Sequence, residues 1–226
     1  MVTAPEPQGC ASGNYVCLDF EDTAPGAVPQ GWGTDGTPPK VTDSAAHTGQ
    51  HALRVSGRDY GSSGYITYPN VPSKHFGRLY YRFDEINAIN YLHITLVEAR
   101  SLISGAPARV VDTNLGGSDL NRMKYIFNID DRGTEYNISS EEIFSYVQAQ
   151  NRWVCVEWEV DPTTQSGALW EEGMLAYDAP LPRPDVNVLP ATTFDSIAIG
   201  LRTYKGAQSS GWIDDVVIGP ERIGCL

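Results

Sequence analysis

Apolar and polar residues alternate along short segments of the chain, with the period of two that is typical of β-strands burying one face. In the segment 91–96, for example, Leu92, Ile94 and Leu96 fall on one face and the residues between them fall on the other. The same alternation is present in the segments 15–21, 51–55, 79–83, 123–129, 153–160, 197–202 and 212–218. Proline- and glycine-rich joints separate these segments, and only 140–147 has a helical pattern. We therefore predict an all-β fold, a two-sheet antiparallel β-sandwich with one short helix at most.

The composition fits a single domain spanning residues 1–226. The chain is 41% hydrophobic and 19% charged, and one all-β domain often reaches ~200–250 residues. A net charge of −12 argues against nucleic acid, and no stretch is long and apolar enough to span a membrane. The first residues lack an apolar signal-peptide region, so we interpret them as the start of a mature chain with an added Met. We expect a monomer with neither a nucleic-acid nor a membrane partner.

The four cysteines lie at positions 10, 17, 155 and 225. Their spacing matches no zinc pattern, and an even number of cysteines is typical of disulfides formed in an oxidising compartment. We therefore expect a secreted protein with two disulfides, while four unpaired thiols in a cytosolic protein are the alternative.

Three segments resemble calcium-binding jelly-roll carbohydrate-binding modules. The segment 18–22 (LDFED), followed by Gly31 and Trp32, is similar to the opening of those modules. The segment 47–55 (HTGQHALRV) is similar to their next strand, and 212–218 (WIDDVVI) to their last. In that family the three segments together build a structural calcium site, so the resemblance implies one here.

The rest of the chain resembles concanavalin-like jelly-roll polysaccharide lyases, in particular the glucuronan lyases and the related cellulose-induced secreted proteins. The resemblance is in the strand pair 153–160 and 169–173 and in the ending 222–225. It implies a jelly-roll fold and a secreted protein that acts on a polysaccharide. The quoted motifs build sheets and contain no catalytic signature, so the chemistry has to be inferred from other residues.

The calcium prediction depends on acidic residues of the first and last strands. Asp19 and Glu21 fall on the non-core face of the segment 15–21, and an acidic pair follows Ile213 in the last strand. In a jelly roll these strands commonly lie side by side, so their carboxylates repel unless a cation joins them. Solvated surface acids are the alternative. The predicted ligands of a structural Ca²⁺ are Asp19, Glu21, Thr48, Gln50, Asp214 and Asp215.

The same pairing of strands predicts how the cysteines pair. If Glu21 faces Asp214 in an antiparallel register, Cys10 faces Cys225, within the distance that a disulfide can bridge. This bridge would tie residues 1–12 back to the domain and would leave Cys17 to pair with Cys155. The pairing of Cys10 with Cys17 is the main competitor, because only seven positions separate them.

Residues on the non-core faces of four strands define a candidate groove. If the segments 79–83, 91–96, 123–129 and 197–202 share one concave sheet, its floor is basic and bordered by tyrosines. The predicted groove residues are Tyr80, Arg82, His93, Lys124, Asn128, Arg202 and Tyr204. The segments 100–121 and 175–195 are interpreted as loops that set specificity.

This set of residues suits β-elimination in a uronic-acid polymer. His93 is the predicted base for the C5 proton, with Tyr80 and Arg82 as the other catalytic residues, because the reaction needs a base, an acid and a cation at the carboxylate. The predicted substrate-binding residues are Lys124, Asn128, Arg202 and Tyr204. For His93 the alternative is a polar residue on an ordinary solvated sheet face.

Two other functions remain open from the sequence. A non-catalytic carbohydrate-binding module is the first alternative to the lyase, because the calcium segments resemble modules without activity. A glycoside hydrolase is the third choice, since it needs two carboxylates across a cleft. Glu157 and Glu159 share one strand face, but they lie on the side of Cys155, which alternation places away from the core.

Overall fold

The structure is a computed structural model that describes residues 10, 13–57, 63–87, 91–101, 107–116, 123–131, 134–139, 149–164, 166–180, 193–204 and 208–225. Fifteen strands lie within these residues. They are β1 (Val16–Leu18), β2 (Gly33–Gly36), β3 (Lys40–Thr42), β4 (Ala52–Gly57), β5 (Ser63–Pro69), β6 (His75–Asn87), β7 (Tyr91–Arg100), β8 (Ala108–Gly116), β9 (Met123–Asp131), β10 (Thr134–Ser139), β11 (Val154–Asp161), β12 (Ser166–Glu171), β13 (Met174–Pro180), β14 (Ser196–Tyr204) and β15 (Gln208–Gly219).

The strands form two antiparallel sheets that face each other. An eight-stranded sheet has the order β13-β12-β11-β6-β15-β4-β3, and β1 pairs with the end of β15 beside β4. A seven-stranded sheet has the order β10-β9-β8-β7-β14-β5-β2. The predicted all-β, two-sheet sandwich is confirmed. The helix predicted at 140–147 lies outside the described residues.

The core between the sheets follows the alternation in the sequence. Leu92, Ile94 and Leu96 of β7 are buried in it, opposite Leu79 and Tyr81 of β6. Each predicted segment contributes residues to a strand, because burying every second side chain stabilises a pleated strand that is paired within a sheet. Among the described residues, no helix has the length and apolar character needed to cross a membrane.

The disulfides are present, but the predicted pairing is wrong. Cys10 is bonded to Cys17 and Cys155 to Cys225, with Cα atoms 5.9 Å apart in each pair. Cys17 cannot reach Cys155, because β15 and β6 lie between their strands and three strand spacings amount to about 14 Å. The disulfide that holds the N-terminal residues therefore ends at Cys17 and not at the C-terminus.

The register explains why Cys10 and Cys225 do not meet. Leu18 pairs with Val216, and β1 ends there, so Glu21 never faces Asp214. Phe20 has a φ of 65°, which turns the chain away from the sheet. At the other end, residues 222–225 leave β15 and lie across β11, where Glu157 accepts hydrogen bonds from Arg222 and from the backbone N–H of Gly224. Cys225 therefore lies beside Cys155.

Candidate functional site

The predicted groove residues do not all lie on one sheet. Strand β6, with Tyr80 and Arg82, belongs to the eight-stranded sheet, whereas β7, β9 and β14 belong to the seven-stranded sheet. Both residues point away from the core, so the two sheets separate them from His93 by at least the ~10 Å sandwich thickness. The prediction that all four strands form one groove is therefore wrong for β6. Tyr80 and Arg82 therefore do not share a surface with His93.

On the eight-stranded sheet these two side chains have structural partners. The Tyr80 ring stacks on His47 with centroids 3.7 Å apart, and the Arg82 guanidinium lies over the Trp212 ring at 5.5 Å. Both contacts are between side chains of neighbouring strands or loops, which is the ordinary way a sheet face is stabilised.

The other predicted residues do lie together, on the outer face of the seven-stranded sheet. Tyr204, His93, Asn114 and Lys124 are directly opposite one another on four consecutive strands. We call this surface the polar face. Its members are Tyr65, His93, Thr95, Glu98, Arg100, Arg109, Asp112, Asn114, Lys124, Asn128, Arg202 and Tyr204.

A histidine–carboxylate pair occupies the middle of the polar face. His93 Nε2 lies 2.8 Å from both carboxylate oxygens of Asp112, and the two residues are 5% and 0% exposed. Thr95 donates a hydrogen bond of 2.8 Å to Asp112 Oδ1, and an Arg109 nitrogen lies 3.9 Å from Oδ2. Asp112 is therefore surrounded by donors, which is what a buried carboxylate requires.

Tyr204 covers this pair. Its ring stacks on His93 with centroids 4.2 Å apart, and the Arg109 guanidinium lies 5.0 Å from the Tyr204 ring centroid. Its hydroxyl is 3.4 Å from Thr95 Oγ1. Burial and the nearby charge of Asp112 raise the pKa of Tyr204, so its phenol holds a proton at neutral pH.

A second buried carboxylate, Glu98, lies beside the first. Arg202 contacts its Oε1 at 2.9 Å, Arg100 contacts its Oε2 at 2.7 Å, and Tyr65 donates a hydrogen bond to Oε1. Glu98 is fully buried and both arginines are half-buried. Burial lowers the pKa of Arg202, but Glu98, Tyr65 and Tyr204 together raise it more, so the pKa lies above its ordinary value and the guanidinium stays charged. Arg202 also hydrogen-bonds Tyr204 and so joins the two carboxylate clusters.

Sequence reasoning missed Glu98, Arg109 and Asp112. Arg109 and Asp112 lie on β8, inside the segment interpreted as a loop. The stretch 108–115 does alternate in part, and that signal could have identified the strand. Glu98 had no such signal, because a β-bulge after Thr95 changes which face the following residues occupy.

Lys124 and Asn128 share the polar face but differ in exposure. Lys124 lies in the same row as His93 and is half-buried, whereas Asn128 is opposite Arg109 and only 1% exposed. Lys124 is thus accessible to a ligand. Glu157, considered for a hydrolase, is 1% exposed and holds the C-terminal segment on the other sheet.

The acidic residues of the end strands also lie together, although not in the predicted register. Asp214 accepts hydrogen bonds from the backbone N–H groups of His47 and Thr48, and Asp215 contacts the His47 ring and the Thr48 hydroxyl. Burial and the neighbouring Asp215 raise the pKa of Asp214 to about 8. The two adjacent carboxyls, both fully buried, therefore lie in surroundings that favour a cation.

The other predicted calcium ligands lie at the edge of this acid pair. Glu21 accepts hydrogen bonds from the backbone N–H groups of Gln50 and His51, and Asp19 accepts one from that of Glu21. Burial raises the pKa of Asp19, and the charges of Glu21 and Asp215 add to the effect. In the described part of the chain, no three His, Cys, Asp or Glu side chains are grouped so that they could hold a metal ion. The acids thus fit calcium in charge, while the remaining ligands would have to be backbone or hydroxyl oxygens.

The fold resembles known structures, although no protein-family model and no curated protein matches the chain. The cellulose-induced protein Cip1 is 16% identical with a TM-score of 0.63, and the match covers 93% of this chain and 100% of Cip1. The receptor-binding domain of botulinum neurotoxin type G is 15% identical with a TM-score of 0.56, covering 94% of this chain and 49% of the toxin chain.

A third similar structure belongs to botulinum neurotoxin type C, whose cell entry depends on interaction with two ganglioside molecules. It is 11% identical with a TM-score of 0.55, covering 93% of this chain and 48% of that one. The chain spans about half the length of these toxin chains. At such identities the similarity establishes the fold alone: the protein is a jelly-roll β-sandwich.

Proposed function

We propose that the chain is a secreted polysaccharide lyase that cleaves a uronic-acid polymer on the polar face. The observation that carries this proposal is the contact of His93 with Tyr204, with Asp112 behind the histidine and two arginines around the tyrosine. β-Elimination needs a base, an acid and cations beside the substrate carboxylate, and this surface supplies all three.

Each residue of the polar face has its own role in the proposed reaction. His93 takes the C5 proton of the uronate, and the electrons of that bond form the C4=C5 double bond as the C4–O4 bond breaks. Tyr204 gives its phenolic proton to the leaving O4, consistent with a pKa raised by burial. Lys124, Arg109 and Arg202 neutralise the carboxylate as negative charge develops. Water then returns a proton to Tyr204 and removes one from His93.

Two further findings support a secreted protein with a carbohydrate ligand. The two disulfides are typical of proteins in oxidising compartments. Cip1 is a cellulose-induced protein, and cell entry of the type C toxin depends on interaction with gangliosides. Proteins with this fold are therefore associated with carbohydrates.

The proposal is tested by incubating the protein with glucuronan, alginate and pectate and following the ultraviolet absorbance of the unsaturated product. We expect one of these polymers to be cleaved, and His93→Gln or Tyr204→Phe to lower turnover by ~10²-fold or more. Tyr80→Phe is the matched control, because Tyr80 is on the other sheet and should leave turnover unchanged. Equal loss in Tyr80→Phe and Tyr204→Phe would contradict the assignment.

A non-catalytic carbohydrate-binding protein is the second candidate. It is favoured by the internal pairing of the polar face, where Glu98 and Asp112 already have their donors and need no substrate. Such a surface can hold a sugar without moving a proton. Retention on immobilised polysaccharide, with no unsaturated product from any uronan, would favour this function over the lyase.

Structural calcium at the end strands is a separate proposal. It is supported by the fully buried Asp214 and Asp215 and by the proximity of Asp19 and Glu21. The measurement is thermal unfolding with and without a chelator, together with metal analysis of the purified protein. A free calcium concentration of 100 times the Kd adds about 2.7 kcal/mol to the free energy of unfolding, so removing the ion with a chelator should lower the Tm clearly. An unchanged Tm in a metal-free protein would rule the site out.

A further inference from the structure

The geometry of Asp112 determines which nitrogen of His93 carries hydrogen. Both carboxylate oxygens lie 2.8 Å from the same ring nitrogen, Nε2. Thr95 donates to Oδ1, and Arg109 lies near Oδ2. With these donors around it, Asp112 acts as an acceptor toward the ring, so Nε2 must supply the hydrogen.

Position in the sheet makes this contact rigid. Thr95 faces Asp112 directly across β7 and β8, and His93 is two residues away on the same face of β7. His93, Thr95 and Asp112 are each at most 5% exposed, so water does not compete for these hydrogen bonds. The stacked Tyr204 ring further restricts rotation of the imidazole.

We propose that Asp112 is a positioning residue that holds His93 as the Nε2–H tautomer, which makes Nδ1 the nitrogen that accepts the sugar proton. The role of Nδ1 in accepting the sugar proton rests on the proposed lyase function, whereas the control of the tautomer by Asp112 does not. A neutral imidazole accepts a proton only through the nitrogen without hydrogen. If Asp112 did not fix the tautomer, part of the protein would present the wrong nitrogen to the substrate.

The chain contains its own reference for the opposite tautomer. His75 Nδ1 lies 3.0 Å from the carbonyl oxygen of Pro72, which can only accept a hydrogen bond. His75 is fully buried, and burial lowers its pKa to about 4, so its ring is neutral over the useful pH range. His75 should therefore be an Nδ1–H histidine, whereas His93 should be an Nε2–H histidine.

The experiment is nuclear magnetic resonance of histidine ring nitrogens in the ¹⁵N-labelled protein at alkaline pH. Four histidines give few signals, and His93→Gln and His75→Gln variants assign those of His93 and His75. We expect the Nε2–H pattern for His93 in the unmodified protein and its loss or mixing in Asp112→Asn. In the same variant, kcat should fall by ~10²-fold or more with little change in KM.

Asp161→Asn is the matched control, because Asp161 is also buried but lies on β11 of the other sheet. It should leave both the His93 tautomer and kcat unchanged. If Asp112→Asn does not fold, the His93 tautomer of the unmodified protein still tests the assignment, because both Asp112 oxygens lie beside Nε2 and the pattern is measured there without any substitution.

The outcomes separate this inference from the proposed function. An Nδ1–H pattern for His93, or a tautomer that Asp112→Asn leaves unchanged, overturns the role of Asp112 whether or not a polymer is cleaved. The expected tautomers in a protein that cleaves no uronan would support the control of His93 by Asp112 and would contradict the lyase function.

Discussion

The polar face and the interior between the sheets both bury carboxyl groups, but they stabilise them in different ways. On the polar face, Glu98 is held by two arginines and a tyrosine. In the interior, Glu171 of β12 has a phenol as its partner: it accepts a hydrogen bond from Tyr125 of β9, whose hydroxyl is 2.9 Å from that of Tyr81 of β6.

The contrast shows two ways of burying an acid. A buried carboxylate with cationic partners needs those partners, because losing one leaves charge uncompensated. A buried carboxyl without a paired cation favours its protonated form: burial raises the pKa of Glu171 to about 7, and the charge of Glu172 adds to the effect. The polar face should therefore be sensitive to substitution, while the interior should be sensitive to pH.

The largest expected effect is on the polar face. Arg202→Met removes the cation from Glu98 Oε1 while keeping much of the side-chain volume, and Glu98 is fully buried. We expect the free energy of unfolding to fall by about 3–5 kcal/mol, the usual result of breaking a buried ion pair. Urea unfolding with intact disulfides measures it.

The matched control is Arg152→Met, which removes an exposed arginine lying 3.8 Å from the partly exposed Glu172. Surface pairs contribute about 0–1 kcal/mol, so this variant should be nearly as stable as the original. If Arg202→Met lowered the free energy of unfolding no more than Arg152→Met, the ion pairs of the polar face would not stabilise the fold.

The positions of the two acids show what the sequence could predict. Alternation predicted β7 and its core residues, because each side chain faces the core or solvent according to local period. It could not predict that Glu98 faces outward. Strict alternation from Leu92 would turn Glu98 toward the core, and the bulge that reverses its face depends on pairing with β8.

The local alternation also could not predict to which of the two sheets each strand belongs. Strand β6 alternates as β7 does, but its neighbours are β11 and β15, which are far away in sequence. The catalytic roles given to Tyr80 and Arg82 depended on this pairing, as did the predicted disulfides. His93, Lys124, Arg202 and Tyr204 were placed on one face because their strands do share a sheet.

The second prediction concerns the interior and pH. The folded-state pKa of Glu171 is about 7 against an ordinary 4.5, so the folded protein holds this proton more tightly than the unfolded chain. The stability that results is fully present below about pH 4.5 and is lost as pH rises through about 7. The difference corresponds to about 3 kcal/mol, since one pKa unit is worth about 1.4 kcal/mol.

The measurement is the difference in free energy of unfolding between the original protein and Glu171→Gln across this pH range. Because Gln cannot ionise, the original should lose stability relative to the variant by about 3 kcal/mol as pH rises. Asp43→Asn is the control, since Asp43 is exposed and is not among the charges that act on Glu171, so this variant should track the original. A pH-independent difference for Glu171→Gln would mean that the interior acid is not protonated.

The smallest expected effect distinguishes the contribution of the interior phenols to stability from that of the Glu171 carboxyl. Tyr81→Phe removes one hydroxyl, whose partner Tyr125 still bonds Glu171. The free energy of unfolding should fall by about 1 kcal/mol, the usual net value of one hydrogen bond. The pH dependence assigned to Glu171 should persist, because the carboxyl keeps its burial and its Tyr125 partner. Urea unfolding at acidic and alkaline pH checks both points. Loss of the pH dependence in Tyr81→Phe would mean that the phenols, rather than burial, keep Glu171 protonated.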